Sequence, residues 1–165
     1  MMKPSVERFT GFADVYDQAR PSPPEAIADL LLQLAKLEMA ECVVDLGSGS
    51  GLSMVMWAGR TRSIIGVEPS HDMRREAERR CSRLFPSDAL KWTSAKADAT
   101  QIIPNSVDVV TASQSFHWMN PQTTLAEVAR ILRPGGVFAA IDCDWPPSVL
   151  PDLEGGLQPM HSENQ

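Results

Sequence analysis

Apolar and polar positions alternate along this chain in two distinct rhythms. Ile27, Leu30, Leu31 and Leu34 fall at the i, i+3, i+4, i+7 spacing of one helical face, and Pro23-Pro24 suit the entry to that helix. Cys42-Val43-Val44-Asp45-Leu46 follows, a short β-rich run that ends in glycines. A helix is expected over about residues 50–58, then a second strand over Ser63-Ile64-Ile65-Gly66-Val67. Met73, Ala77, Cys81 and Leu84 mark the next helical face, which ends before Pro86. A weak strand is expected within residues 90–96 and a clearer one over Val107-Asp108-Val109-Val110-Thr111-Ala112. Leu125, Val128, Ala129 and Leu132 repeat the helical spacing, Arg133-Pro134-Gly135-Gly136 stops that helix, and residues 137–141 form the fifth strand.

Strands alternating with helices through short connections predict an α/β fold. It is a three-layer sandwich in which helices cover both faces of a mainly parallel five-stranded sheet. Ligands of such sheets bind at the carboxyl ends of the strands, near the point where the strand order reverses. Residues 23–147 form the expected core. Residues 1–22 precede it as an arm. Residues 148–165, with Gly155-Gly156 and a polar end, are expected to be an irregular or disordered tail.

Composition narrows the functional classes. A chain of 165 residues that is 43% hydrophobic and 22% charged is an ordinary globular domain with a sizeable core. Its net charge of −6 gives the whole chain no attraction to nucleic acid. Arg74, Arg75, Arg79, Arg80 and Arg83 are interrupted by Asp72, Glu76 and Glu78, so they read as the solvated face of a helix. The three cysteines, Cys42, Cys81 and Cys143, are an odd count without close spacing. That pattern argues against a disulfide framework or a metal site and suits a reducing compartment. Residues 1–20 hold no signal-like apolar run, and nothing reaches the roughly 18 apolar residues of a membrane span, so a cytoplasmic location is expected.

The candidate chemistry begins at Gly47, Gly49 and Gly51, directly after the first strand. Glycine permits a sharp turn there and lets a ligand approach the backbone closely, while the amides that open a helix supply donors. Asp45 adds a carboxylate that suits a cationic amine better than a phosphate. Glu68 ends the second strand, about twenty residues beyond Gly47, where a carboxylate can accept both hydroxyls of a ribose. Met73 fits either an adenine face or the core. Asp98-Ala99 lies between the third and fourth strands, at a position able to read an adenine amino group.

These segments together resemble the class I S-adenosylmethionine-dependent methyltransferases, in particular the type 11 small-molecule group. The resemblance runs through Val43-Val44-Asp45-Leu46-Gly47-Ser48-Gly49-Ser50-Gly51, Gly66-Val67-Glu68-Pro69-Ser70 and Ala97-Asp98-Ala99. Ser106-Val107-Asp108-Val109-Val110, Ser115-Phe116-His117-Trp118-Met119 and Arg130-Ile131-Leu132-Arg133-Pro134-Gly135-Gly136 complete it. It implies a Rossmann-like fold and S-adenosylmethionine as cofactor, with a small-molecule methyl acceptor. Gly47 and Gly49 would line the methionine portion, Glu68 the ribose, and Asp98 with Ala99 the adenine. Ser113 and Gln114 would border the sulfonium and the acceptor. The arm would cover the cofactor, with Tyr16 offering a ring face to the sulfonium and Arg20 meeting the carboxylate; their other reading is as surface residues. His117 has two readings, a general base toward an acceptor or a packing residue of the pocket wall. Against the family pattern the last two strands are expected to be lacking, which leaves the fifth strand as an open edge able to pair with another copy.

Two rivals remain. A nicotinamide-dependent dehydrogenase domain needs Gly-x-Gly-x-x-Gly, but Leu52 or Met54 falls where the third glycine belongs. A cofactor-binding fragment without catalysis is the other.

Overall fold

The computed structural model describes residues 22–142. Along them run α1 (Glu25–Ala35), β1 (Val43–Leu46), a 3₁₀ turn (Met54–Trp57), β2 (Ile64–Val67), α2 (His71–Cys81) and β3 (Leu90–Thr93). Then come β4 (Val107–Ser113), a second 3₁₀ turn (Phe116–Trp118), α3 (Pro121–Ile131) and β5 (Leu132–Ile141). The strands form one sheet in the order β3-β2-β1-β4-β5, every neighbouring pair parallel.

Central strands of such a sheet are covered on both faces, so they are continuous apolar runs rather than alternating ones. All four residues of β1 are buried. On one face, Ala28, Leu31 and Leu32 of α1 join Met54, Met56, Trp57, Cys81 and Phe85 over Val43, Ile64 and Val109. On the other, Val128 and Ile131 of α3 join Ile102, Phe116 and Met119 over Val44, Leu46, Val110 and Ala112. The expected three-layer α/β architecture is therefore present. The strand order reverses between β1 and β4, and their carboxyl ends open a crevice there. Two helices start at its rim, α2 capped by Ser70 and α3 by Asn120, whose carboxamide oxygen accepts from the amides of Gln122 and Thr123.

Several local expectations are corrected. The buried stripe of α1 is Ala28, Leu31 and Leu32, while Leu30 and Leu34 are 53% and 59% exposed. The apolar triplet Leu30-Leu31-Leu32 fits either phase, and small Ala28 lets the helix approach the sheet more closely. Residues 50–58 form a turn and one 3₁₀ segment instead of an α-helix. Just beyond α2, Phe85 takes the buried position expected for Leu84. In α3 the buried stripe is Thr124, Glu127, Val128 and Ile131 rather than one through Leu125, Ala129 and Leu132. β5 begins at Leu132, with residues 133–136 bulging before the ladder resumes at Val137. The expected arm, tail and Cys143 lie outside the described residues.

Candidate functional site

At the carboxyl ends of β1, β2 and β4 the crevice widens into a cavity of about 360 Å³. The glycine turn forms its floor, and its three glycines do different things. Gly47 has a left-handed φ of 64°, and a Cβ there would stand 2.8 Å from Ser115 Cβ. Without that Cβ the loop after β4 closes down onto β1, and Ser115 Oγ donates to the Leu46 carbonyl at 2.8 Å. Gly49 (φ 53°) also lines the cavity, and a Cβ on it would meet nothing within 4 Å. Gly51 is not in the lining. Its missing Cβ makes room for Ala77 Cβ and Cys81 Sγ, each 3.0 Å away, so it serves the packing of α2.

Glu68 leaves the end of β2 and points back at the glycine turn. Its Oε2 accepts from Gly49 N at 3.1 Å and its Oε1 from Ser70 N at 2.8 Å. Burial pushes its pKa above the usual carboxylate range, against the opposing pull of those two amides and the Arg74 charge. A carboxylate offers about four lone-pair sites, so the two amides leave acceptor capacity on each oxygen. Met73, 2% exposed, lines the cavity from the first turn of α2.

Asp45 stands behind the lining rather than in it. Its carboxylate accepts from the Ser53 hydroxyl and, at 2.7 Å, from Thr111 Oγ1. Burial raises its pKa to about 6, opposed by those two hydroxyls and reinforced by the Glu68 charge. It therefore ties the loop after β1 to β4.

The far wall is the loop after β3, which presents Lys96, Ala97 and Asp98. Ala99 is not in the lining; its amide donates to the Lys96 carbonyl at 3.1 Å and closes the turn that presents Asp98. This loop is pinned to α3. Glu127 Oε1 accepts from the amide and the hydroxyl of Thr100, and Arg130 donates to both Glu127 oxygens and to the Ile102 carbonyl. The Arg130 hydrogen bonds, followed by those of Thr100, hold the Glu127 pKa down to about 2 against a desolvation penalty. Thr123 Oγ1 also reaches Asp98 Oδ2 at 3.4 Å.

Ser113 and Gln114 line the end of β4, and Gln114 is held at a left-handed φ of 50° with its amide on the Ile141 carbonyl. Strain of this kind concentrates at ligand sites. His117 is not in the lining. Its side chain is 47% exposed, with Nδ1 4.0 Å from Asp142 Oδ2 and its ring 4.8 Å from that of Trp118, which does line the cavity.

Sequence reasoning thus brings Gly47, Gly49, Glu68, Met73, Asp98, Ser113 and Gln114 to one cavity. Asp45, Gly51, Ala99 and His117 stand behind or beside it, and Tyr16 and Arg20 lie outside the described residues. It missed Ser48, Ser70, Asn120 and Thr124, all of which line the cavity. Ser70 and Asn120 were legible as helix caps; Thr124 left no such signal. The arginines of α2 also differ from a wholly solvated face. Arg74 donates to the Glu68 carbonyl and Arg80 to the Ser50 carbonyl and hydroxyl, so both brace the loops of the cavity from outside. Among the described residues no His, Cys, Asp and Glu cluster suits a metal ion, and no helix is long and apolar enough to cross a membrane.

A family profile described as "Methyltransferase domain" matches residues 44–140, from β1 to the end of β5. The chain belongs to this family. The methyltransferase domains it resembles include an uncharacterized methyltransferase of Mycobacterium tuberculosis, 37% identical over 132 residues, or 78% of this chain and 49% of that protein. A solved structure described as a type II methyltransferase from Anaeromyxobacter dehalogenans superposes with a TM-score of 0.64 at 31% identity, covering 74% of this chain and 48% of the other. Geranyl diphosphate C-methyltransferase from Streptomyces coelicolor, solved with Mg²⁺, geranyl diphosphate and S-adenosyl-L-homocysteine, gives 0.62 at 25% identity, covering 71% and 44%. The chain spans about half the length of the curated relatives it matches. The family is S-adenosylmethionine-dependent.

Proposed function

We propose that the cavity binds S-adenosylmethionine and that this chain transfers its methyl group to a small-molecule acceptor. The observation that carries the reading is the bond between Gly49 N and Glu68. The turn that brings backbone to the cavity wall also fixes, on the next strand, a carboxylate with acceptor capacity to spare. Such a carboxylate suits the two hydroxyls of a ribose.

The other residues fit the same ligand. Gly47 and Gly49 flank the methionine portion, Met73 offers an apolar face to the adenine, and Asp98 accepts from its amino group, with Ala99 shaping the turn. Asp45 acts from behind by holding the glycine loop. Gly51 lets α2 close against that loop. Ser113 and Gln114 border the reacting centre. When bound, S-adenosylmethionine supplies an electrophilic methyl group on a sulfonium, open to in-line attack by the acceptor. The chain's own contribution is to orient and to exclude water. His117 serves the wall through Trp118 rather than as a base, which suits an acceptor that is already ionised. The net charge of −6 favours a small molecule over nucleic acid, in a cytoplasmic setting. A second copy can pair along the outer edge of β5, which has no strand partner among the described residues.

Calorimetry with S-adenosylmethionine, S-adenosylhomocysteine and NADH tests the cofactor. Binding of both sulfur ligands without NADH is expected. Tight NADH binding with no response to either sulfur ligand overturns the reading. A labelled-methyl assay against pooled small acids, phenols and amines then tests turnover.

A further inference from the structure

Thr124 carries a hydroxyl that nothing among the described residues uses. The residue is 1% exposed, lines the cavity from the first turn of α3, and its buried Oγ1 has no hydrogen-bond partner among the described residues. A threonine inside a helix ordinarily satisfies itself on the carbonyl four residues back. Here that carbonyl, Asn120 O, already accepts from Thr124 N at 3.0 Å and from Thr123 Oγ1 at 3.5 Å. Buried hydroxyls are rarely left without a partner, because each has surrendered its bonds to water. An unpartnered one in a cavity wall therefore points to a partner that arrives with the ligand.

Its neighbours say what that partner is. Thr123, the adjacent residue, touches Asp98, and Glu127 one turn on anchors the same loop through Thr100. Thr124 thus lines the same cavity as Asp98, the one carboxylate of the far wall, together with Ala97 and Met73. A carboxylate accepts from an exocyclic amino group, and a neighbouring hydroxyl donates to a ring nitrogen. Together they match the amino and aza groups that adenine presents on one edge.

We infer that Thr124 is a cofactor-specificity residue, its hydroxyl donating to an adenine ring nitrogen next to the amino group read by Asp98; this rests on the S-adenosylmethionine reading above. The decisive variant is Thr124→Val, which keeps the shape and removes the hydroxyl. S-adenosylhomocysteine affinity is expected to fall about tenfold, the loss that follows from one hydrogen bond of ordinary strength. Unliganded stability against urea is expected to hold or rise, because the change deletes an unsatisfied polar group. Thr124→Ser should restore binding to within about threefold of wild type. Among the 1-, 3- and 7-deaza analogues of S-adenosylhomocysteine, one should bind the wild type weakly and show no further loss in Thr124→Val. Wild-type affinity in Thr124→Val overturns the inference alone. So does an equal response of all three deaza analogues to the substitution, or a loss of unliganded stability that Thr124→Ser repairs. No S-adenosylhomocysteine binding by the wild type overturns the cofactor reading and this inference with it.

Discussion

Gly49 and Gly51 share a left-handed backbone, two residues apart, yet alanine should harm the chain in opposite ways at the two positions. At Gly51 (φ 82°) the new Cβ would lie 3.0 Å from Ala77 Cβ and Cys81 Sγ and 3.1 Å from Ala77 Cα. The last of these is backbone of α2 and cannot rotate away. Left-handed strain of about 1 kcal/mol then adds to overpacking of about 1–3 kcal/mol, giving a loss of about 2–4 kcal/mol. At Gly49 (φ 53°) the Cβ meets nothing within 4 Å, so only the strain of about 1 kcal/mol applies. That methyl group would instead stand in the cavity beside the amide that fixes Glu68. Urea unfolding and calorimetry with S-adenosylhomocysteine separate the two effects. Gly51→Ala should lower the unfolding midpoint by roughly 1 M or more, given slopes of about 1–3 kcal/mol/M. Gly49→Ala should cost only about 1 kcal/mol in urea, no more than about half the Gly51→Ala loss, and bind the ligand at least about tenfold more weakly, roughly 1.4 kcal/mol. Equal destabilisation by the two substitutions, or undiminished binding by Gly49→Ala, would refute the division of roles.

Three further outcomes follow from the site. Folded Asp45 keeps its proton to about pH 6, whereas unfolded it ionises near 3.8, so the folded state binds the extra proton between these values. Its contribution to stability therefore declines as pH rises through that window, by about 3 kcal/mol; Asp45→Asn should flatten this slope in denaturation series at pH 4 and 7, and an unchanged slope would show that Asp45 is not its source. Glu127 has the opposite sign: its pKa is lowered to about 2, so its contribution is present above pH 4.5 and lost as pH falls toward 2. Glu127→Gln should make acid unfolding less steep and weaken S-adenosylhomocysteine a few-fold by loosening the Asp98 loop, both measurable by circular dichroism and calorimetry. His117→Ala should retain kcat within about threefold in the labelled-methyl assay, since a general base is worth about 10²–10⁴; a loss of that size would restore His117 as the base.

The strands were legible because covered parallel strands are unbroken apolar runs, and Val43-Val44, Ile64-Ile65 and Val109-Val110 pair as such. Helix phase was less legible. In α1 three consecutive leucines support two faces equally, and the choice falls to small Ala28, whose value is visible only against the sheet. In α3 the reading moved by one residue because two of its buried positions are polar. Thr124 faces the cavity and Glu127 is held by Thr100 and Arg130. Hydrophobic periodicity assumes that buried means apolar, and it fails where the buried stripe is part of a site. The same logic explains Asp45, whose type suggested ligand contact but whose partners, Ser53 and Thr111, come from loop and strand positions that spacing does not connect.

The placement of charge around the cavity follows a rule that composition could not show. Glu68 and Asp98 face inward, while Arg74, Arg80 and Arg130 approach the same loops from outside and bond to carbonyls, the Ser50 hydroxyl and Glu127. The cations thus fix the walls without entering the lining, where Lys96 is the one basic residue among those described. Guanidinium groups turned inward would instead offer phosphate oxygens bidentate partners. Turned outward, they leave a lining whose fixed charge is mainly negative and whose remaining polar groups are hydroxyls and amides. That lining favours a ligand bearing a sulfonium and an ammonium over a dinucleotide. The same negative lining adds to the raised Asp45 pKa: burial is its main cause, the neutral hydroxyls of Ser53 and Thr111 oppose it, and the Glu68 charge in front reinforces it.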